Sequence, residues 1–307
     1  MNDMEKAMRA LQTYMEQHAD EITDEKSQQA VIDRFMQEYN SSLPQRKKAA
    51  PESAEDYLEL AQSASSEKKS LEYLKKATEL DPNNLDVQVQ VIFATQMKKP
   101  HECQKTIEDL IAKATKRLEK EGYFEEAGEF WTILETRPYM RTRFAYFNLL
   151  ISRGMVRCAI KEGNELLRLC ENDNLGVRHL MMSLYAFLED EEHALALHEK
   201  YGNCDEPHML FPLAVMFYKL NQPEKAIDYL KRLVKANKDT KKFLTDLANQ
   251  DKDILLNEST SDGYIVGSYE ELQDCFENSV LLFASVPGFA AWAVENLPKR
   301  TTKPKKK

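Results

Sequence analysis

Apolar positions recur at steps of three and four along most of the chain, the spacing that lines one face of an α-helix. Residues 1–39 hold two such stretches. Met4, Met8, Leu11, Met15 and His18, widened by Ala7 and Tyr14, make the first, and Val31, Ile32, Phe35 and Tyr39 make the second. A polar turn at 20–24 separates them, so the pattern predicts a helical hairpin. From residue 53 the period resumes, with Tyr57, Leu58 and Ala61 on one helix and Ser70, Leu74, Ala77 and Leu80 on the next. Asp81-Pro82-Asn83-Asn84 closes this pair: proline stops the helix, and the Asn84 side chain is placed to cap the one that follows. Residues 85–121 carry Val87, Val91, Ile92 and Met97, then Ile107, Leu110, Ile111, Ala114 and Leu118, which predicts a further pair with a long second helix.

The central part of the chain repeats one phrase: a turn residue, four variable positions, a small residue, then an apolar helix. It occurs as Gly122 to Ala127, Gly154 to Cys158-Ala159, Glu189 to Ala194 and Asn221 to Ala226, so that Ala127, Ala159, Ala194 and Ala226 stand 32, 35 and 32 residues apart. A period in the thirties, with one small residue where two helices approach closely, predicts stacked helical hairpins. Trp131, Leu134 and Pro138 continue the first phrase as the buried face and terminator of a second helix. The units around Ala159 and Ala194 end at Asn172-Asp173-Asn174 and Tyr201-Gly202-Asn203. In the last, Ala226, Leu230 and Leu233 follow Leu213, Phe217 and Tyr218 on the preceding helix.

Ser70, Leu74, Ala77 and Pro82 have the spacing of the second helix of a tetratricopeptide repeat, and the chain resembles a divergent member of that family. The stretch from Asn172 to Leu297 also resembles a group of bacterial repeat proteins, through Asn172-Asp173-Asn174 with Gly176 and Arg178, Gly267-Ser268 before Glu270-Glu271, and Trp292 in a final helix. Members of that group often continue into a Cys-rich SEC-C zinc tail. Here the chain ends in basic residues from Lys299 onward, so no zinc tail is carried over. The resemblance implies an all-α, right-handed superhelix of stacked hairpins whose first helices line a concave groove. By the family's register the groove displays Arg141, Asn148, His179, Ser183 and Lys219, with Arg178 beside them. Asn148 falls on a position of the family's terminal-carboxylate clamp. Phe144 and Leu180 replace polar clamp residues, which argues against that specificity.

Composition agrees with a helical chain, since only 9 Gly and 11 Pro occur in 307 residues. A net charge of −9 gives no broad positive field for wrapping nucleic acid. The start Met-Asn-Asp-Met-Glu-Lys lacks a basic stretch followed by an apolar one, and the longest apolar run, 280–294, is too short to span a bilayer and is broken by Pro287-Gly288. A cytoplasmic protein is expected, with no membrane partner. Its five scattered cysteines, Cys103, Cys158, Cys170, Cys204 and Cys275, form no CxxC pair and fit reduced thiols.

No GxSxG, P-loop or HExxH motif occurs, so catalysis is not expected. Cys170, His179, His193, His198, Cys204 and His208 fall within 39 residues, and His193 and His198 have four residues between them, but a step of five on a helix puts their side chains on different faces. Neither a metal nor another cofactor is expected. Trp131 and Trp292 are read as core rather than as partner anchors. Arg46-Lys47-Lys48 and the basic tail are the segments from which an alternative would start, a peptide-responsive regulator that touches nucleic acid.

The expected organisation is an N-terminal hairpin at 1–40, a linker at 41–52, a repeat array at 53–249, a loop with C-terminal capping helices at 250–297, and a basic tail at 298–307. The expected function is a non-enzymatic scaffold or adaptor that binds a protein or peptide segment in its groove. A second copy of the chain is a further candidate partner, through the apolar stripes of the N-terminal hairpin.

Overall fold

The computed structural model describes residues 3–46, 51–249 and 263–297. The linker residues 47–50, the loop residues 250–262 and the basic tail at 298–307 lie outside the described residues. The described chain is all helix and turn, without a strand, and no helix in it is long and apolar enough to cross a membrane. It divides into two compact units: residues up to Leu149 with Arg168–Glu171, and Leu150–Leu167 with the residues from Asn172 onward.

The first unit opens with the hairpin α1 (Asp3–Gln17) and α2 (Glu25–Arg46). The turn between them is locked by Ser27, whose hydroxyl accepts from the Thr23 amide at 2.9 Å while its own amide donates to the Asp24 carboxylate at 2.8 Å. Val31 and Phe35 are buried, and the Tyr14, Phe35 and Tyr39 rings pack in series. The pattern of α1 is not what its apolar stripe predicts. Met4 and Met8 are exposed, whereas Glu5 is only 4% exposed, because Glu5, Lys6 and Arg9 pair with groups elsewhere in this unit.

Next come α3 (Ala54–Gln62), α4 (Glu67–Leu80), α5 (Leu85–Gln96) and α6 (Pro100–Lys120), each packed on its successor, with α3 also touching α5. Their ends are specified locally. Ser53 and Asp56 form a reciprocal capping box at the start of α3, and the Asn84 side chain accepts from the Val87 amide at 3.2 Å to start α5, as its place after Pro82 predicts. Leu58, Leu74, Ala77 and Val87 are buried together, each leucine contributing about 2 kcal/mol by area.

The first copy of the repeated phrase does not make a helix. After a 3-10 turn at Tyr123–Glu126, Ala127 is extended and exposed rather than buried in a second helix. Gly128 takes a φ of +113°, which no α-helix tolerates, and both its amide and that of Phe130 donate to the Leu169 carbonyl, at 3.1 and 3.0 Å. Amides committed to Leu169 cannot close i to i−4 rings. Leu134 is buried as expected, but Trp131 is only half-buried under the Arg137 guanidinium. Pro138, expected to end a helix, sits instead in the first turn of α7 (Arg137–Ser152), where its missing N–H costs nothing.

The other three copies behave as the period predicts. α7 is followed by α8 (Val156–Leu169), α9 (Val177–Phe187) by α10 (Glu191–Lys200), and α11 (Pro207–Lys219) by α12 (Pro223–Ala236). At each junction the phrase's first residue is left-handed: Gly154 at φ +68°, Glu189 at +60° and Asn221 at +56°. Its amide and the next one return to the preceding helix, as in Gly154 to Ile151 and Met155 to Leu150, both at 2.9 Å; Glu189-Asp190 and Asn221-Gln222 repeat the pair. This is the Schellman arrangement, which satisfies the last carbonyls of one helix. The carbonyl after the left-handed residue then accepts from the phrase's alanine amide: Met155 from Ala159, Asp190 from Ala194, Gln222 from Ala226. All three alanines are fully buried.

The second unit ends with α13 (Thr240–Ala248), α14 (Tyr269–Glu277), α15 (Val280–Ala284) and α16 (Phe289–Asn296). α9 packs on α11, and α14 and α15 then cover them, α14 on α11 and α15 on both. Phe211 at the centre stacks near Phe283 and Phe289, and Tyr218 holds Trp292 at 4.8 Å between ring centroids. Trp292 is half-buried there.

Candidate functional site

Two of the six residues predicted for a groove lie in the first unit. Arg141 on α7 is clamped between two carboxylates. Its Nε and Nη2 take Asp86 bidentately at 2.8 and 2.6 Å, and Nη1 reaches Glu5 at 2.7 Å. Burial disfavours the Arg141 cation, but Asp86 and Glu5 more than compensate and hold its pKa above the ordinary arginine value. Burial likewise raises Glu5, and the hydrogen bond and charge of Arg141, with Arg9, outweigh it and leave that carboxyl below its usual range. Asn148 is exposed, and its side-chain amide donates back to the Phe144 carbonyl at 2.9 Å. Beside Arg141 a pocket of about 150 Å³ opens between α3, α5 and α7, lined by Leu58, Gln62, Val89, Phe93 and Ala145 among others.

The other four lie in the second unit. Asp173, at φ +51°, accepts from the Val177 and Arg178 amides at 2.7 and 2.9 Å, capping α9, and also takes the Arg178 side chain at 3.1 Å. Arg178 bonds Glu206 at 3.3 Å and lies over the Tyr201 ring. Lys219 is 10% exposed, pointing its ammonium at the Ala186 and Phe187 carbonyls that end α9 and at Glu189, 3.3 Å away. Each basic residue of the predicted set therefore already holds a counter-charge within its own unit, and two of them also serve helix termini.

His179 stacks on His208, ring centroids 4.7 Å apart, and each imidazole meets a carboxylate, His179 with Glu206 at 2.9 Å and His208 with Asp274 at 2.7 Å. Burial, followed by the neighbouring His208, pushes the His179 pKa down to about 4, so its ring is neutral at pH 7. The Tyr264 ring continues the stack over His208. The remaining metal-type residues are occupied otherwise. His198 bonds the backbone carbonyl of Cys204 rather than its thiol, the His193 ring pairs with Asp190, whose carboxylate caps α10 by accepting from the His193 amide, and Cys170 is buried in the first unit beside Gly128. No group of three or more potential ligands is positioned to hold a metal among the described residues.

Ser183 leads to a second concavity, within the second unit. Its hydroxyl lies 2.6 Å from that of Ser279, and the two help line a pocket of about 280 Å³. The rest of its wall is mostly apolar: Ile151 from the end of α7, Leu180 and Leu184 from α9, and Val280 and Leu282 from α15. Val280 is half exposed at its edge. Sequence reasoning missed Glu5, Asp86, Glu206, Asp274 and Ser279, whose partners are 27 to 136 residues away. Only Asp173 was signalled, inside the Asn172-Asp173-Asn174 phrase. The basic segment at 47–48 and the tail lie outside the described residues.

No protein-family profile matches the chain, and no curated protein matches it either.

Proposed function

We propose that this chain is a non-enzymatic, cytoplasmic scaffold of the tetratricopeptide type that binds a protein segment through an apolar side chain. The observation that carries the reading is the pocket of about 280 Å³ walled by Ile151, Leu180, Leu184, Val280 and Leu282, on a helix face otherwise covered by the chain's own C-terminal helices. It has the dimensions of one or two large side chains, and the Ser183–Ser279 hydroxyl pair, with Ser152, Glu277 and Asn278 also in the lining, offers polar groups for orientation, which suits an anchor residue of a partner. The stacked pairs with a recurrent left-handed turn support the superhelical reading. A terminal-carboxylate clamp is not part of the proposal, because Arg141, Arg178 and Lys219 are neutralised within the chain.

The test is site-specific photo-cross-linking in cells from a benzoyl-phenylalanine placed at Val280. One protein captured there, and lost when Leu180→Glu puts a charge in the wall without changing helical content, supports the reading. Capture that is indifferent to Leu180→Glu refutes it.

A further inference from the structure

Most of the hydrogen bonds and ion pairs that tie α1 to the rest of the first unit come from charged and polar side chains, with Met8 Sδ also accepting from Arg137 Nη1 at 3.7 Å. Glu5 fills the Nη1 edge of Arg141, Lys6 bridges Asp56 at 3.1 Å and Glu59 at 2.7 Å on α3, Arg9 donates to the Leu134 carbonyl at 2.9 Å, and Gln12 reaches Glu135. The fit is imperfect. Arg9 Nε is buried with no hydrogen-bond partner, and Met4 is 70% exposed although it belongs to the helix's apolar stripe. The two Lys6 pairs are partly exposed, and pairs at a surface are weak and screened by salt, whereas Glu5 is buried against Arg141. No residue of α1 lines the adjoining pocket between α3, α5 and α7.

We propose that α1 is a displaceable occupant, in cis, of a site on α3 and α7 that receives a helix of a partner protein bearing a carboxylate followed by a cation. The site is built for that pair. With α1 removed, Asp86 still holds two guanidinium nitrogens of Arg141 and orients the third, Nη1, toward an incoming carboxylate, while Asp56 and Glu59 present two negative groups for the cation. A partner helix that also reaches the pocket beside Phe93 makes contacts that α1 does not. The tethered α1, at the high effective concentration of an intramolecular ligand, sets the threshold such a partner must exceed. This site shares no residue with the Leu180–Val280 pocket, and either reading stands without the other.

The probe is a fluorescent peptide of residues 1–23 of this chain, titrated against the full-length protein at low salt. Lys6→Glu in the full chain sets like charges against Asp56 and Glu59 and opens the site, so the peptide should bind at least tenfold more tightly than to the unaltered chain. Adding Glu59→Lys, which leaves the Ser53–Asp56 capping box intact, gives residue 6 an opposite charge again and should return binding toward the original level, which separates release from misfolding. A peptide carrying Glu5→Lys should not bind. Equal affinity for the unaltered and Lys6→Glu chains, or equal binding of the native and Glu5→Lys peptides, overturns the proposal.

Discussion

The side-chain amide of Asn237 donates to a carboxylate oxygen of Glu271 at 2.9 Å, and both residues are buried, Asn237 completely. Asn237 ends α12, where its backbone amide closes on Leu233, and the same side-chain nitrogen reaches the Ser268 carbonyl at 2.7 Å. Glu271 uses that one oxygen again, accepting from the Gly267 amide at 2.8 Å, where the chain turns at φ +81°. The Gly-Ser before Glu-Glu that is visible in the sequence is thus a backbone turn wrapped around a buried carboxylate, and Asn237 fastens it to the end of the repeats. Asn237→Ala removes a donor from a buried anion and is expected to cost about 1–3 kcal/mol. Urea unfolding of Asn237→Ala, Glu271→Ala and the double variant should show coupling, with the double variant losing less than the sum.

The left-handed turns differ in residue type, and the difference has a stability consequence. A non-glycine residue in this region costs roughly 1 kcal/mol relative to glycine. Glu189→Gly should therefore raise stability by about 0.5–1 kcal/mol, the Lys219 pair lost being half exposed on the Glu189 side and weak. Glu189→Ala, which loses the pair and keeps the strain, should give no gain, and Gly154→Ala should lose about 1 kcal/mol. Thermal unfolding of the three variants checks the order.

Ala159, Ala194 and Ala226 are fully buried where each second helix begins, so volume added there has no outlet. Ala194→Met should destabilise by roughly 1–3 kcal/mol or prevent folding, by overpacking. The matching change at Ala127, exposed and outside any α-helix, should move the unfolding midpoint by less than the error of the measurement.

His179 makes the second unit sensitive to acid. Its folded pKa of about 4 lies below the unfolded value near 6.5, so the unfolded chain binds the proton first as pH falls. The stability associated with the neutral ring is complete above about pH 6.5, declines as pH falls, and is lost by about pH 4, a change of about 3 kcal/mol over that window. His179→Gln should flatten that part of the profile, measured as the difference in unfolding free energy between the two proteins at pH 7, 5.5 and 4.5. A slope identical in both would assign the acid sensitivity to other groups.

What the sequence by itself determined is what short-range chemistry encodes. The helices, the Asn84 cap and the three hairpin turns at Gly154, Glu189 and Asn221 follow from period, a capping residue and a small residue at fixed spacing, all of which act within a few positions of one another. Even so, Ala127 looked identical to its three counterparts, and only the pull of Leu169, 42 residues away, on the Gly128 and Phe130 amides made that segment irregular. Of the candidate site, Ser183 does line a pocket, but its wall is completed by Val280 and Leu282, nearly a hundred residues later. The same holds for charge. Arg141, Arg178 and Lys219 are cations in any reading of the chain, yet whether each meets a ligand or a carboxylate of its own protein depends on Glu5, Asp86, Asp173, Glu206 and Glu189, and therefore on tertiary packing. Helix periodicity fixes which residues share a face, and packing decides what that face meets.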